Sequence, residues 1–144
     1  MRVLVLHGPN LNLLGDREPD VYGSQTLADV NDVIAAAASD LGVDVTCEQH
    51  NGEGEIIDAL QAARKQYDAV AINPGAYGHY SYAIADAISA IGIPVIEVHL
   101  SNIAARETFR RRSVTASTCR GTITGLGAIG YALALRALKE ILEK

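Results

Sequence analysis

Residues able to do acid–base chemistry fall in three short stretches. Glu97 and His99 stand either side of Val98, so in an extended chain both side chains leave the same face. A histidine beside a carboxylate is the arrangement of a general acid or base held in one orientation; the bland alternative is an ion pair at a strand end. The stretch Asn73-Pro74-Gly75-Ala76-Tyr77-Gly78-His79 brings a second histidine, which is either a site residue or the first residue of a helix. His7-Gly8-Pro9-Asn10 brings a third, for which a packed, hydrogen-bonded role competes with function. The fourth, His50, sits beside Asn51-Gly52 at a turn and reads as solvated. Arg106 and Arg110 are four apart in the arginine-rich run 106–112. If helical, they face the same way and make a clamp for a carboxylate or an enolate; otherwise they belong to a solvated face. Arg17 and Tyr22 lie in a long segment, 8–25, that follows the first apolar run. Each has an ordinary reading, as a surface charge and as a packed loop anchor. A loop of that length in a compact domain is more often a functional lid than idle chain.

These stretches need a scaffold. The chain has 144 residues, the length of one domain, with 49% hydrophobic and 20% charged residues. That composition supports a full core and excludes a disordered protein. The net charge of −5 argues against nucleic acid as a partner. No apolar run reaches the ~18 residues of a membrane span, and the apolar run at the N-terminus is too short for a signal peptide. Cys47 and Cys119 follow no motif and read as reduced thiols of a cytoplasmic protein.

Strand-like and helix-like segments alternate. Strands are expected at 3–6, 43–48, 69–73, 94–99 and 121–124. Helices are expected at 26–41, 55–64, 79–91 and 126–142, the first opened by a Thr26/Asp29 capping box and closed by Gly42. With no linker or repeat, residues 1–144 read as a single catalytic domain. Alternation implies parallel pairing by right-handed crossovers. The expected fold is an α/β, flavodoxin-like, doubly wound five-stranded parallel sheet in the order 2-1-3-4-5. Ligands bind such sheets beyond the carboxyl ends of the strands, and that is where the three histidine-bearing stretches fall.

Gly125-Leu126-Gly127-Ala128-Ile129-Gly130 fits the dinucleotide pattern G-x-G-x-x-G after a strand. The chain has no strand left to complete that unit, so tight turning and close packing are the better reading. Neither the cysteines nor the scattered histidines make a metal set, and no cofactor is expected.

Taken together, these residues resemble the type II 3-dehydroquinate dehydratases. The resemblance runs through Gly8-Pro9-Asn10-Leu11-Asn12-Leu13-Leu14-Gly15 with Arg17-Glu18-Pro19 and Tyr22-Gly23, then Asn73 to Tyr77 with His79 and Asp86-Ala87. It continues in Glu97-Val98-His99, Ser101-Asn102, Arg106-Glu107 and Phe109-Arg110, and ends in Gly125-Leu126-Gly127 and Gly130-Tyr131. It covers essentially the whole chain. Gly78, Tyr80, Tyr82 and Ala85, and His50 and Gly52 further upstream, depart from the family's usual residues.

The resemblance implies conversion of 3-dehydroquinate to 3-dehydroshikimate through an enolate, a step of the shikimate route to aromatic amino acids. It implies Tyr22 as the base, working as tyrosinate beside Arg17 with help from Arg106. His99 is then the acid, held by Glu97, and Asn10 positions a water at the enolate oxygen. Asn73, His79 and Arg110 match substrate-binding positions, and Leu100-Ser101 the carboxylate-binding segment. Asp86 matches a residue that reaches a neighbouring subunit's site, and the family forms dodecamers built from trimers. The unrelated type I enzymes use a lysine Schiff base, but Lys65, Lys139 and Lys144 all lie away from the expected strand ends. A flavodoxin-like module binding a flavin or nucleotide is the alternative reading of the same sheet.

Overall fold

The computed structural model describes residues 1–16 and 19–144, and of Pro19 and Tyr22 the backbone only. The strands are β1 (Arg2–His7), β2 (Asp44–Gln49), β3 (Ala69–Asn73), β4 (Val95–His99) and β5 (Gly121–Thr124). All pairings are parallel and the order is β2-β1-β3-β4-β5, as expected. The helices are α1 (Pro19–Tyr22), α2 (Leu27–Leu41), α3 (Glu53–Gln66), α4 (Tyr82–Ile91) and α5 (Ile129–Leu142).

The central strands are apolar on both faces because helices cover both. On one face Val3, Val5, Ala71 and Val98 pack with α2 and α5, through Val30, Ile34, Tyr131 and Leu135. On the other, Leu4, Leu6, Val70 and Ile72 pack with α3 and α4, through Ile56, Leu60, Ile84 and Ile88. Each fully buried aliphatic side chain contributes about 1.5–3 kcal/mol, so the two layers fix the register. That register sets His7 beside Asn73 and His99 beside Thr124. The strand ends therefore line one edge of the sheet. Among the described residues, no helix is long and apolar enough to cross a membrane.

Local chemistry explains where the elements begin. Thr26 and Asp29 make the capping box that opens α2, and Gly42 closes it at φ 67°. The helix expected from residue 79 starts instead at Tyr82, because the Ser81 hydroxyl accepts from Ile84 N (3.1 Å) and caps it. His79 ends a separate 3-10 turn, Gly75–His79. The helix expected from 126 starts at Ile129. Gly125 and Gly127, at φ 84° and 61°, take a left-handed backbone that no right-handed helix contains. Residues 106–110 are not an α-helix either; Arg106 and Arg110 end two successive 3-10 turns. The segment 8–25, read as one long loop, contains a 3-10 turn (Leu11–Leu13) and the single turn of α1. The remaining boundaries agree with expectation to within two residues, the usual uncertainty of helix and strand ends.

The turns after β1 and β3 press together. Gly8 N donates to Asn73 O at 2.7 Å. A Cβ on Gly8 would stand 2.7 Å from Asn73 O and from the carbonyl carbon and oxygen of Pro74, all main-chain atoms. We expect Gly8→Ala to cost roughly 1–3 kcal/mol, the scale of overpacking against atoms that cannot step aside. Gly54→Ala, where a Cβ meets open space on α3, should leave stability unchanged or raise it by up to about 1 kcal/mol. Urea midpoints of the two variants check both.

Candidate active site

A cleft of about 100 Å³ opens at the strand-end edge. The turn after β1 supplies Asn10, the end of β3 and the turn after it supply Asn73 and His79, and the end of β4 and the turn after it supply His99, Leu100 and Ser101. Arg106 and Arg110 close one side. The sheet thus gathers expected site residues from three separate crossovers. Pro9, Leu11, Gly75, Ala76 and Ile103 complete the lining and were not expected as site residues.

Glu97 and His99 point the same way from β4, as alternation requires. Glu97 is fully buried and His99 is 5% exposed. His99 Nε2 lies 2.9 Å from Glu97 Oε2, which leaves Nδ1 as the ring nitrogen for the cleft. Two hydroxyls reach the same carboxylate from the arm that follows the arginines. Ser113 Oγ donates to Oε2 at 2.7 Å, and Thr115 Oγ1 donates to Oε1. Burial alone raises the carboxyl's pKa. The hydrogen bond and charge of His99, with the Thr115 and Ser113 hydroxyls, outweigh burial and hold Glu97 below the ordinary carboxylate range. Neither hydroxyl was anticipated. They stand sixteen and eighteen residues from Glu97, in a segment with no strand or helix period to place it.

His79 stacks on His99, ring centroids 6.3 Å apart and planes 21° apart. Its Nδ1–H donates to Arg112 O at 2.8 Å, so Nε2 faces away from that carbonyl. Burial pushes the His79 pKa down. His99 and Arg110 push the same way, against the Arg112 carbonyl and Glu97. The Arg106 side chain is 8% exposed and reaches Ser101 Oγ at 3.4 Å. Arg110 pairs with Glu107 and lies over the Phe109 ring, 4.7 Å from its centre. Although 106–110 is not a helix, both guanidinium groups reach the cleft. Two arginines beside two histidines give the cleft donors of the kind an anion needs.

Asn10 is the one non-glycine residue with positive φ among those described, at 67°. Its N–H donates to Asn51 Oδ1 at 3.0 Å, and Gln49 Nε2 donates both to that oxygen and to Gly8 O. The turn after β2 therefore fixes the strained turn after β1. Asn73 Oδ1 accepts from Gly75 N at 3.0 Å. His7, expected to be packed or functional, is packed. Its Nε2 meets Asn31 Oδ1 at 2.8 Å and its Nδ1 meets the Tyr131 hydroxyl at 3.2 Å. The amide oxygen only accepts, so Nε2 carries the proton. His50, read as solvated, is half-buried and held by Glu48 at 2.9 Å and Glu55 at 3.7 Å. The turn places it between two carboxylates instead of in open water.

Three expected site residues are not in the cleft as described. Asp86 is exposed on α4 and does not line it. Arg17 and the Tyr22 side chain lie outside the described residues. Among the described residues, no three His, Cys, Asp or Glu side chains converge as a metal set.

A flavodoxin-like parallel sheet with a buried histidine–carboxylate pair and two arginines at its strand ends defines the class of protein. The chain belongs to the class II dehydroquinase family, whose sequence model matches residues 1–139. It is 60% identical over 137 residues to the 3-dehydroquinate dehydratase of Pelotomaculum thermopropionicum, covering 95% of each chain. With the 3-dehydroquinate dehydratase of Desulforudis audaxviator it shares 54% identity over 144 residues, 100% of this chain and 96% of the other. The crystal structure of the type II dehydroquinase from Butyrivibrio crossotus superposes with a TM-score of 0.94 at 45% identity, over 96% of this chain and 97% of that one. The family match displaces the reading as a flavin- or nucleotide-binding module.

His7 gives a stability prediction. Burial lowers its pKa below the ordinary 6.5. As pH falls through about 6.5, the unfolded chain takes up a proton that the folded chain refuses, so stability drops. His7→Gln should show a smaller fall in urea midpoint between about pH 7.5 and 5.5 than the parent. An equal fall in both proteins would show that His7 is not the group responsible.

Proposed function

We propose that this cleft dehydrates 3-dehydroquinate to 3-dehydroshikimate, a hydro-lyase step of the shikimate route. The observation that carries the reading is the His99–Glu97 pair opening, through Nδ1, onto a cleft that Arg106 and Arg110 line. Elimination next to a ketone needs a base for the adjacent proton, a stabiliser for the enolate oxygen and an acid for the departing hydroxyl. Tyr22 is the base. A phenol with an ordinary pKa near 10 serves near neutral pH only as tyrosinate beside positive charge, which Arg17 and Arg106 supply. The enolate oxygen is met by a water that Asn10 positions. His99, oriented by Glu97 through Nε2–H and acting as the imidazolium, gives the proton on Nδ1 to the leaving hydroxyl. Asn73, His79 and Arg110 bind the substrate, and the Leu100-Ser101 segment holds its carboxylate.

Residues 1–144 act as one catalytic domain in this reading, without metal or cofactor, in the cytoplasm. The working form is a homo-oligomer, a dodecamer of trimers, in which Asp86 contributes to a neighbour's site. Its exposed place on α4, away from its own cleft, supports a role across an interface.

The growth of the enone product's ultraviolet absorbance after addition of 3-dehydroquinate tests the activity. Tyr22→Phe keeps the ring and loses only the ionisable group. Turnover should fall roughly 10²–10⁴-fold, the scale of a lost general base, with the affinity of a substrate analogue little changed. A Tyr22→Phe enzyme with near-normal kcat would place the base elsewhere. Asp86→Ala and Arg110→Ala should each be weak alone and regain activity when mixed, if subunits exchange. No recovery in mixed oligomers shown by mass to contain both variants would remove the shared-site reading.

A further inference from the structure

The acid histidine is only as well placed as the carboxylate behind it, and the surroundings of Glu97 say which form that carboxylate takes. Three hydrogen-bond donors converge on its two oxygens: the His99 ring, the Ser113 hydroxyl and the Thr115 hydroxyl. A hydroxyl has one proton to give. Ala116 N donates to Ser113 Oγ at 3.1 Å, which occupies that oxygen as an acceptor and leaves its proton for Glu97. Thr115 is completely buried, and its hydroxyl lies 3.2 Å from Ser113 Oγ, farther than either hydroxyl lies from the carboxylate, so both protons go to Glu97. A protonated Glu97 would bring a fourth hydrogen into this set and set two donors against each other; the anion satisfies all three.

We propose that Ser113 and Thr115 are positioning residues of the reaction: their hydroxyl protons hold Glu97 as the anion, which keeps the His99 Nε2–H on the carboxylate and Nδ1 turned to the cleft. This rests on the reading of His99 as the acid. It also gives the arm after the arginines a second task. The arm that carries Arg110 is tied down by Val114 N on Gly78 O (2.7 Å) and by the His79 ring on Arg112 O (2.8 Å). The same few residues therefore set the anion clamp, His79 and the charge behind the acid.

The test compares Thr115→Val and Ser113→Ala with the conservative Thr115→Ser. In ligand-free protein with 15N-labelled histidine rings, His99 is assigned from a His99→Gln variant. The parent should show a protonated Nε2, and Thr115→Val a mixture that includes the other neutral tautomer. On 3-dehydroquinate, Thr115→Val should lose roughly ten- to a hundredfold in kcat, the scale of one hydrogen bond to a charged group, with KM little changed. The acid limb of its pH profile should move up by about one unit, because the anion loses a donor. Thr115→Ser should restore both.

Among the described residues, the ionisable groups that act on Glu97 include His99 on β4, His79 after β3 and Cys119 beyond the arm. The Cys119 thiol is pushed up to about 12 by burial and the nearby carboxylate and stays neutral throughout. All three groups are kept in the variants, so a displaced limb reports the hydroxyls. Unchanged ring signals and an unchanged pH profile in both Thr115→Val and Ser113→Ala would overturn the proposal. A parent with no turnover of 3-dehydroquinate would overturn the dehydratase reading, while the ring signals would still judge the hydroxyl pair.

Discussion

A carboxylate without any contact with water costs several kcal/mol unless donors surround it. Glu97 is such a carboxylate, in a β4 strand otherwise apolar until His99. Its needs organise the surroundings. One donor comes from the neighbouring histidine, and the others come from an arm that must fold back to deliver them. Remove the donors and the strand end holds an unsatisfied charge; keep them and the arm, the histidine and the arginines become one unit. Burial, which would by itself discharge the group, is outweighed locally by three hydrogen bonds.

The sheet contributes alignment. Parallel strands with helices on both faces put every carboxyl end on one edge, so residues from β1, β3 and β4 meet there although long stretches of chain separate them. The turns then interlock at main-chain distance. Gly8 lies against Asn73 and Pro74, and a Cβ on Gly75 would meet Pro9 at 3.0 Å. Backbone packed that closely does not drift, which suits a site whose groups must keep their angles. The cleft inherits its rigidity from glycines and prolines more than from its polar residues.

The strand order and the pairing of Glu97 with His99 were legible in the sequence, because both follow from short-range periodicity. Alternation along Glu97-Val98-His99 fixes a shared face whatever the tertiary context. The start of α4 was not legible, since Ser81 and His79 are both plausible first residues and only the Ser81 cap decides. Whether the run 106–112 is helical stays open in the sequence, because arginines four apart look the same in a helix and in the successive 3-10 turns at 103–105 and 108–110. Ser113 and Thr115 carried no local signal at all; their meaning comes from a carboxylate on another element. The glycine pattern at 125–130 was read as turning and packing, and it does both. A Cβ on Gly130 would meet Ile123 and Val98 at 3.3 Å.

That glycine pattern has a consequence for anion recognition. A loop cradles a phosphate with main-chain N–H groups that have no other partner. Here the Gly125 amide is given to His99 O at 3.2 Å and the Gly127 amide to Leu100 O at 3.0 Å. Both donors are spent inside the protein, on the carbonyls of the strand end that carries His99. The spelling of a nucleotide loop has become a splint, stiffening the cleft end of β4 and leaving those two amides nothing to offer a phosphate.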